Sequence, residues 1–402
     1  MSRPRVLVLA PWPPYPFDGG SKRVYSLCRL LGARFRFSLL TFRPRLKDHA
    51  EVATDLAREQ GLLRPIFERI EWVEPPAGEG PARVGELSLP ADARRFYDEA
   101  MARRLAELSE ERAFDILHAE FELMAAYGPP VRGVPKVLTL HDMGSASLWR
   151  SYLREMSGWR RLKSVPQWLG RRAFTRSVAA AYDRVVTVTE RDAALLRRLS
   201  PRARVAAVPT GVDLSHFQAG SGAGARKASV VFVGHYPHYP NEEAAVRFCR
   251  AIWPRVRARR GDAVFYAVGS DPTPKLREAA AGQPSVVVTG TVADVKPYLE
   301  QASVFVAPVR LGEGIKGKVL EALAMGVPVV ASSKAAQGLG ATDGRELLVA
   351  DGDRAFADAV VRLLDDEPLR RALAERGRAF ARERYDWTAL AAGLGDLYEE
   401  LL

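Results

Sequence analysis

An α/β protein built from two doubly wound halves is what this sequence predicts, and three observations predict it. The chain has 402 residues, more than one hydrophobic core ordinarily serves. Short apolar runs of strand length alternate with helical stretches along its whole length. The strand–loop–helix opening occurs twice, at Val6 and again at Val230, so two parallel-sheet domains facing each other across a cleft are expected. The expected domains are 1–210 and 211–384, with a last helix over 385–402 crossing back to the first.

Composition narrows the class. An apolar fraction of 47% and a charged fraction of 27% belong to a soluble globular protein. The two cysteines, Cys28 and Cys249, offer neither a disulfide framework nor metal spacing, so a reducing, cytoplasmic compartment is the expectation. The apolar run Val6 to Ala10 stops at Pro11-Trp12-Pro13-Pro14, too short for a signal peptide, and nothing approaches the ~20 apolar residues of a membrane span. A net charge of +11 favours anionic partners (nucleotides, nucleic acid or acidic lipid surfaces) without choosing among them.

In the first half, Arg5 to Ala10 is a buried strand. Asp18-Gly19-Gly20-Ser21 then forms a glycine turn with Ser21 as N-cap of a helix to Leu31, either a plain tight turn or a place where backbone approaches a phosphate. A strand over 35–42, a helix over 47–59, a strand over 66–73, a Pro/Gly loop over 74–90 and a helix over 91–110 follow. Strands over 114–118 and 134–141 each end in a histidine, His118 and His141, at the carboxyl edge where open α/β sheets place ligands. Residues 147–182 form a long basic helical stretch. Between Arg150 and Arg176 it carries eight Lys or Arg against the single acid Glu155, with Trp149, Tyr152, Trp159, Trp168 and Phe174 interleaved and Pro166 breaking the run. Two accounts stand side by side: a peripheral contact with an anionic membrane, or a solvated face over a packed stripe. A strand over 184–189, a helix over 190–199 and Arg204 to Asp213 close this half, and the Gly/Ala/Ser-rich segment 219–228 is linker.

In the second half, strands are expected at 230–234, 263–269, 285–290 and 304–307, with helices near 274–281 and 295–301 between them. Asn241, with Glu242 and Glu243 behind it, has the pattern of a helix N-cap and acidic first turn. His235 and His238 lack a nearby acid or Cys to complete a metal site. Asp351-Gly352-Asp353 is formally a D-x-D metal motif, but an N-cap on Asp353 opening the helix 354–364 accounts for it better. The most informative stretch is Gly312-Glu313-Gly314-Ile315-Lys316-Gly317-Lys318-Val319-Leu320-Glu321. Here two carboxylates stand eight residues apart, separated by glycines and two lysines, before a buried helix ended by Gly326 and a strand over 327–331. A helix start with two lysines suits an anion of several oxygens such as a diphosphate. Glu321 in the first turn can take a sugar diol, and Glu313 hydroxyls further along. A phosphate with sugars on both sides is a nucleotide sugar, unless the loop is an ordinary one with solvated glutamates.

This E-x7-E stretch, continued by Ala322-Leu323-Ala324-Met325-Gly326-Val327-Pro328-Val329-Val330, resembles the signature of the retaining family-4 glycosyltransferases of GT-B fold. The resemblance implies that Glu313 faces the donor sugar, that Glu321 binds the ribose, and that the amides of Gly314, Ile315, Lys316, Gly317 and Lys318, with Val319 beside them, hold the phosphates. By the same resemblance Gly19 and Gly20 line the donor side, Gly234 and His235 open the second domain's site, Val292 lies where the backbone meets the base, and His141 stands beside the donor sugar. The usual family form has an Arg just after Gly234 and a Lys-Gly where this chain has Pro240-Asn241. His235 and Asn241 depart from it, and Lys316, Lys318 and Arg310 are expected to supply the missing charge, as in a Gly-Ile-x-x-Lys subgroup.

What the resemblance implies is a metal-independent, retaining transfer from a nucleoside-diphosphate sugar to a hydroxyl of a sugar, lipid-linked or small-molecule acceptor. It implies no cofactor, no metal and no nucleic-acid partner, a cytoplasmic location at or near the inner membrane face, and catalytic roles for Glu313, His141 and Lys318. Two rivals remain open at this point: another GT-B enzyme (a sugar-nucleotide epimerase or a phosphorylase), and a non-catalytic protein of the same fold docking on membrane or nucleic acid.

Overall fold

The computed structural model describes residues 3–16, 19–45, 49–143, 158–218, 228–312 and 314–402, with backbone alone for 49–50 and 159–163. The chain divides into two compact units, Met1–Thr210 with Trp387–Leu402, and Gly211–Asp386.

In the first unit, nine strands are present among the described residues: β1 (Arg5–Ala10), β2 (Arg36–Phe42), β3 (Phe67–Val73), β4 (Arg83–Val84), β5 (Leu87–Ser88), β6 (Ile116–Glu120), β7 (Lys136–Leu140), β8 (Arg184–Thr187) and β9 (Val205–Ala207). Seven of them make one sheet in the order β3-β2-β1-β6-β7-β8-β9, every neighbouring pair parallel. Alternation along β1 sends Leu7 and Leu9 into one core and Val6, Val8 and Ala10 into the other. Apolar layers on both faces are why these strands are nearly unbroken apolar runs. The C-terminal helix Trp387–Glu399 belongs to this unit, where Trp387, Leu394, Leu397 and Tyr398 pack with Val24, Leu27 and Leu31 of the helix Gly19–Leu31.

The second unit holds a six-stranded sheet of β10 (Ser229–Val233), β11 (Val264–Val268), β12 (Val286–Gly290), β13 (Val304–Ala307), β14 (Val329–Ala331) and β15 (Leu348–Val349). Their order is β12-β11-β10-β13-β14-β15, again all parallel. In each sheet the winding reverses once, beside β1/β6 and beside β10/β13, and the carboxyl ends of those strands are where open α/β sheets offer a ligand crevice. The helix Gly317–Ala324 buries Val319, Leu320, Ala322 and Leu323, and Gly326 beyond it takes φ +70°, the left-handed conformation that ends a helix and costs a glycine least.

Several boundaries move. The 91–110 stretch is two helices, Ala91–Arg95 and Glu99–Glu110, because Asp98 caps the second through its side chain on the Ala100 amide. The 74–90 loop contains the antiparallel β4–β5 pair. The helix of the basic stretch runs Trp159–Ala181 straight through Pro166 rather than breaking there. The earlier part of that stretch, 147–157, lies outside the described residues, as does the linker through 227. Ser21 is not an N-cap: the helix already begins at Gly19, and the Ser21 hydroxyl instead accepts from the Trp12 indole at 2.9 Å. Among the described residues no helix is long and apolar enough to cross a membrane.

Candidate functional site

In the second unit the site is built at the carboxyl ends of β10 and β13. The chain leaves β13, turns at Gly312 (φ +88°) and Gly314 (φ +72°), and enters the helix at Gly317. Glu313, between the two turns, lies outside the described residues. Lys316 is the N-cap residue, and its side chain makes no cap hydrogen bond to the helix start. The Lys316 ammonium lies over Gly312, 3.4 Å from where a Cβ would stand.

Lys318 is turned inward rather than mobile. Its Nζ donates to Asn241 Oδ1 at 2.7 Å and sits 4.6 Å from the centre of the Phe232 ring on β10. Burial, followed by the charge of Lys316 and opposed by Glu321, brings its pKa down to about 7. Asn241 is not the helix N-cap that its sequence context suggests. His238 holds that position before the helix Tyr239–Arg247, and Asn241 joins the Lys318 ammonium to the His235 carbonyl, which accepts from Nδ2 at 2.9 Å. His238 has its pKa lowered by burial and by Lys318, Lys316 and His235, so four basic side chains converge on this end of the sheet. Arg310 is already engaged by Glu243 of the helix Tyr239–Arg247. His235 is exposed and hydrogen-bonded to Ser270 at 2.8 Å. Glu321 is half-buried and stands one turn into the helix, past the first turn where the sequence places it, because the helix already begins at Gly317, and Ile315 and Val292 pack partly buried against the core.

Gly234 follows β10 with no room beside it: a Cβ there would meet Asn241 at 3.2 Å. Gly269 carries no mark in the sequence, yet it takes φ +137° and a Cβ on it would stand 1.9 Å from the Gly234 carbonyl oxygen. Of the two aspartates of the D-x-D, Asp351 accepts from the Ser333 amide at 3.0 Å, and Asp353 pairs with Arg247 at 2.7 Å. Gly352, not Asp353, is the N-cap of the helix Asp353–Asp365.

In the first unit, Gly19 is open, with nothing within 4 Å of where a Cβ would stand, whereas at Gly20 a Cβ would meet the Phe121 ring at 2.8 Å and His141 Nδ1 at 3.5 Å. His141 directly follows β7. Its ring stacks on Phe121 with centroids 3.8 Å apart and planes within 8°, and Phe121 packs on Trp12 at 4.9 Å. His141 Nε2 donates to Glu120 Oε2 at 2.8 Å. Glu120, the last residue of β6, is not marked by the sequence pattern, which ends that strand at His118. His118 is instead inside the strand and buried, bonded to Tyr398 at 2.5 Å and to Thr139 at 2.6 Å, which makes it structural. Arg23, fully buried, donates to the Val208 carbonyl at 3.0 Å and lies 3.8 Å from Glu120 Oε1.

Known proteins resemble this chain in sequence and in fold. Residues 17–216 match the family model described as Glycosyltransferase Family 4, and residues 227–366 the one described as Glycosyl transferases group 1. The chain is 26% identical over 370 residues to a phosphatidyl-myo-inositol mannosyltransferase of Mycolicibacterium smegmatis, covering 87% of each. It is 28% identical over 330 residues to a D-inositol 3-phosphate glycosyltransferase of Acidothermus cellulolyticus, covering 75% of this chain and 71% of the relative. Among solved structures, a sucrose-phosphate synthase from Thermosynechococcus elongatus superposes with TM-score 0.69 at 18% identity over 99% of both chains. Anabaena HepE in complex with UDP and glucose does so with TM-score 0.70 at 14% identity over 99% of this chain and 100% of that one. Both structural likenesses are to the fold.

Proposed function

The chain belongs to the family 4 glycosyltransferases, and from that premise we propose that it transfers a sugar from a nucleoside-diphosphate donor, with retention and without a metal. The observation that carries this reading is the convergence of Lys316, Lys318, His235 and His238 beside the start of the helix Gly317–Ala324. A diphosphate seated there would meet the first-turn amides and enough positive charge to stabilise its developing negative charge as the sugar leaves. Lys318, held by Asn241, stands in for the lysine that the usual family form carries after Gly234. Glu321 takes the ribose, Glu313 and His141 the donor sugar, and the departing diphosphate oxygen helps to deprotonate the acceptor hydroxyl on the same face. Because protein cations meet the diphosphate, and Asp351 and Asp353 are engaged by Ser333 and Arg247, no metal is needed in this reading.

HepE is described as binding UDP, UDP-glucose and glucose, and the mannosyltransferase relative takes its name from a lipid acceptor. A UDP sugar as donor and a glycolipid or glycoconjugate acceptor are the classes we favour. Peripheral contact with anionic lipid through the basic helix is supported by the exposed Leu169, Arg172 and Arg176.

The test is a thermal-shift series with UDP, GDP, ADP and dTDP, each with and without EDTA, followed by anomeric analysis of the product. A ligand that binds only the folded state raises the melting temperature in proportion to its affinity. One nucleotide that stabilises strongly, indifferent to EDTA, with the donor's anomeric configuration kept in the product, is expected. No stabilisation by any of them would remove the donor-site assignment.

A further inference from the structure

We infer that Glu120 is the positioning residue of His141: its buried carboxylate fixes the imidazole in the Nε2–H tautomer and leaves Nδ1 as a hydrogen-bond acceptor for a ligand hydroxyl. The inference rests on the reading that puts His141 at the donor sugar.

Two contacts hold the ring, and a third supports them. Glu120 Oε2 accepts from Nε2 at 2.8 Å, which sets the tautomer. Phe121 covers one face of the ring at 3.8 Å, in a backbone conformation (φ +70°) that a non-glycine residue adopts at a cost. Trp12 packs against Phe121, and its own N–H is tied to Ser21. A flip of the imidazole would break the hydrogen bond and leave a buried carboxylate without that donor. The other nitrogen, Nδ1, faces Gly20, 3.5 Å from where a Cβ would stand, so the glycine keeps that side of the ring clear of a side chain of its own.

Glu120 is itself supported from every side. Burial alone would push its pKa up, yet the hydrogen bond from His141 and the Arg23 guanidinium bring it below the ordinary carboxylate range. His118 is held neutral by its own burial, with Nδ1 accepting from Tyr398 and Nε2 directed at Thr139 and Glu120. The fixed positive charge beside Glu120 is therefore Arg23, from the helix that follows the glycine turn. Arg23 is paired with a carboxylate in turn, without which a fully buried guanidinium would be costly. A carboxylate that serves only to balance Arg23 would have no reason to engage its second oxygen with a histidine at the sheet's carboxyl edge.

The test combines side-chain 15N correlation spectra of the histidines with kinetics of Glu120→Gln, Glu120→Asp and His141→Ala. The unaltered protein should show His141 protonated on Nε2 alone, and Glu120→Gln should bring up the Nδ1–H form. Turnover in Glu120→Gln should fall about ten- to a hundredfold, as for other outer-shell partners of a functional histidine, with the donor KM changed less. In a His141→Ala background the same substitution should cost under about threefold more, the non-additivity expected of residues acting as one unit. Glu120→Asp keeps the charge beside Arg23 but shortens the reach to His141, so it should fold if Glu120→Gln does not and should still lose turnover. An Nδ1–H tautomer in the unaltered protein, or full and additive losses, would overturn the inference. If His141→Ala leaves the kinetics untouched while the tautomer is as stated, it is the placing of His141 at the donor sugar that fails.

Discussion

The chemistry of Lys318 is set by its surroundings. With its pKa brought down to about 7, it is neutral over much of the range in which a free lysine is charged. Its folded value is depressed below the unfolded one, so its burial destabilises the protein most below pH 7, and that cost is relieved as pH rises toward the unfolded pKa near ~10.4. Two outcomes are expected. Lys318→Met should melt higher than the unaltered protein below pH 7, with the difference shrinking toward pH 9. The nucleoside diphosphate prefers the ammonium, so its affinity should fall between pH 7 and 9 in the unaltered protein and stay flat in Lys318→Met. His238 titrates below its ordinary range and does not confuse that window. Calorimetric titration across pH reads both slopes, and a flat profile in the unaltered protein would refute them. Lys318→Ala should also cut turnover by about a hundredfold or more, the usual loss when a donor to developing charge is removed. Glu321→Ala should instead act mainly on donor binding, raising KM by the factor that about 1.5–3 kcal/mol of charged hydrogen bonding implies, which steady-state kinetics separates from the Lys318 effect.

Elements place these residues, and the glycines report where an element meets ligand and where it meets protein. At Gly269 a methyl group would collide with the Gly234 carbonyl, backbone against backbone, at a φ of +137°. Gly269→Ala should cost roughly 3 kcal/mol or more in urea unfolding, the range of strained-backbone substitutions. At Gly317 nothing lies within 4 Å, and the φ is ordinary. Gly317→Ala should keep or slightly raise stability, since alanine is about 1 kcal/mol the better helix former. The same variant should lose donor affinity severalfold, because its methyl group would occupy the space assigned to the phosphate; unchanged affinity would move the phosphate elsewhere.

The elements themselves were largely legible in the sequence. Apolar runs gave β1 and β13 to the residue, and the helix Glu190–Leu199 as well. What was not legible depends on partners distant in the chain. Asn241 has every local mark of an N-cap, but its carboxamide is claimed by Lys318, 77 positions away. Glu120 lies beyond the strand end that the sequence suggests, in a strand that in fact includes it, and its significance lies in Arg23 and His141, neither of them its neighbour in sequence. Local periodicity records which face of an element is apolar, and it carries no record of which polar groups meet behind that face.

For the whole molecule, the crossing of the last helix decides which part of the chain can stand alone. Trp387–Glu399 supplies Trp387, Leu394, Leu397 and Tyr398 to the core of the first unit, and Tyr398 also holds His118. At roughly 1.5–3 kcal/mol for each large apolar side chain buried, losing that helix removes as much as a domain's net stability. A chain ending at Asp386 should therefore have an unfolded or aggregating first unit and no transferase activity. Residues 211–386, by contrast, contain the whole second sheet, its own core and all the residues from Gly234 to Glu321 to which we assign donor binding. Expressed alone, that segment should fold and be stabilised by the same nucleoside diphosphate that stabilises the full chain, while showing no sugar transfer. It lacks His141, so discrimination among donor sugars carrying that nucleotide should be weaker than in the full chain. Thermal shift with the nucleotide and with two of its sugar derivatives measures both points. A folded 211–386 segment that ignores the nucleotide would mean that the cationic cluster around Lys318 is not sufficient as a diphosphate site.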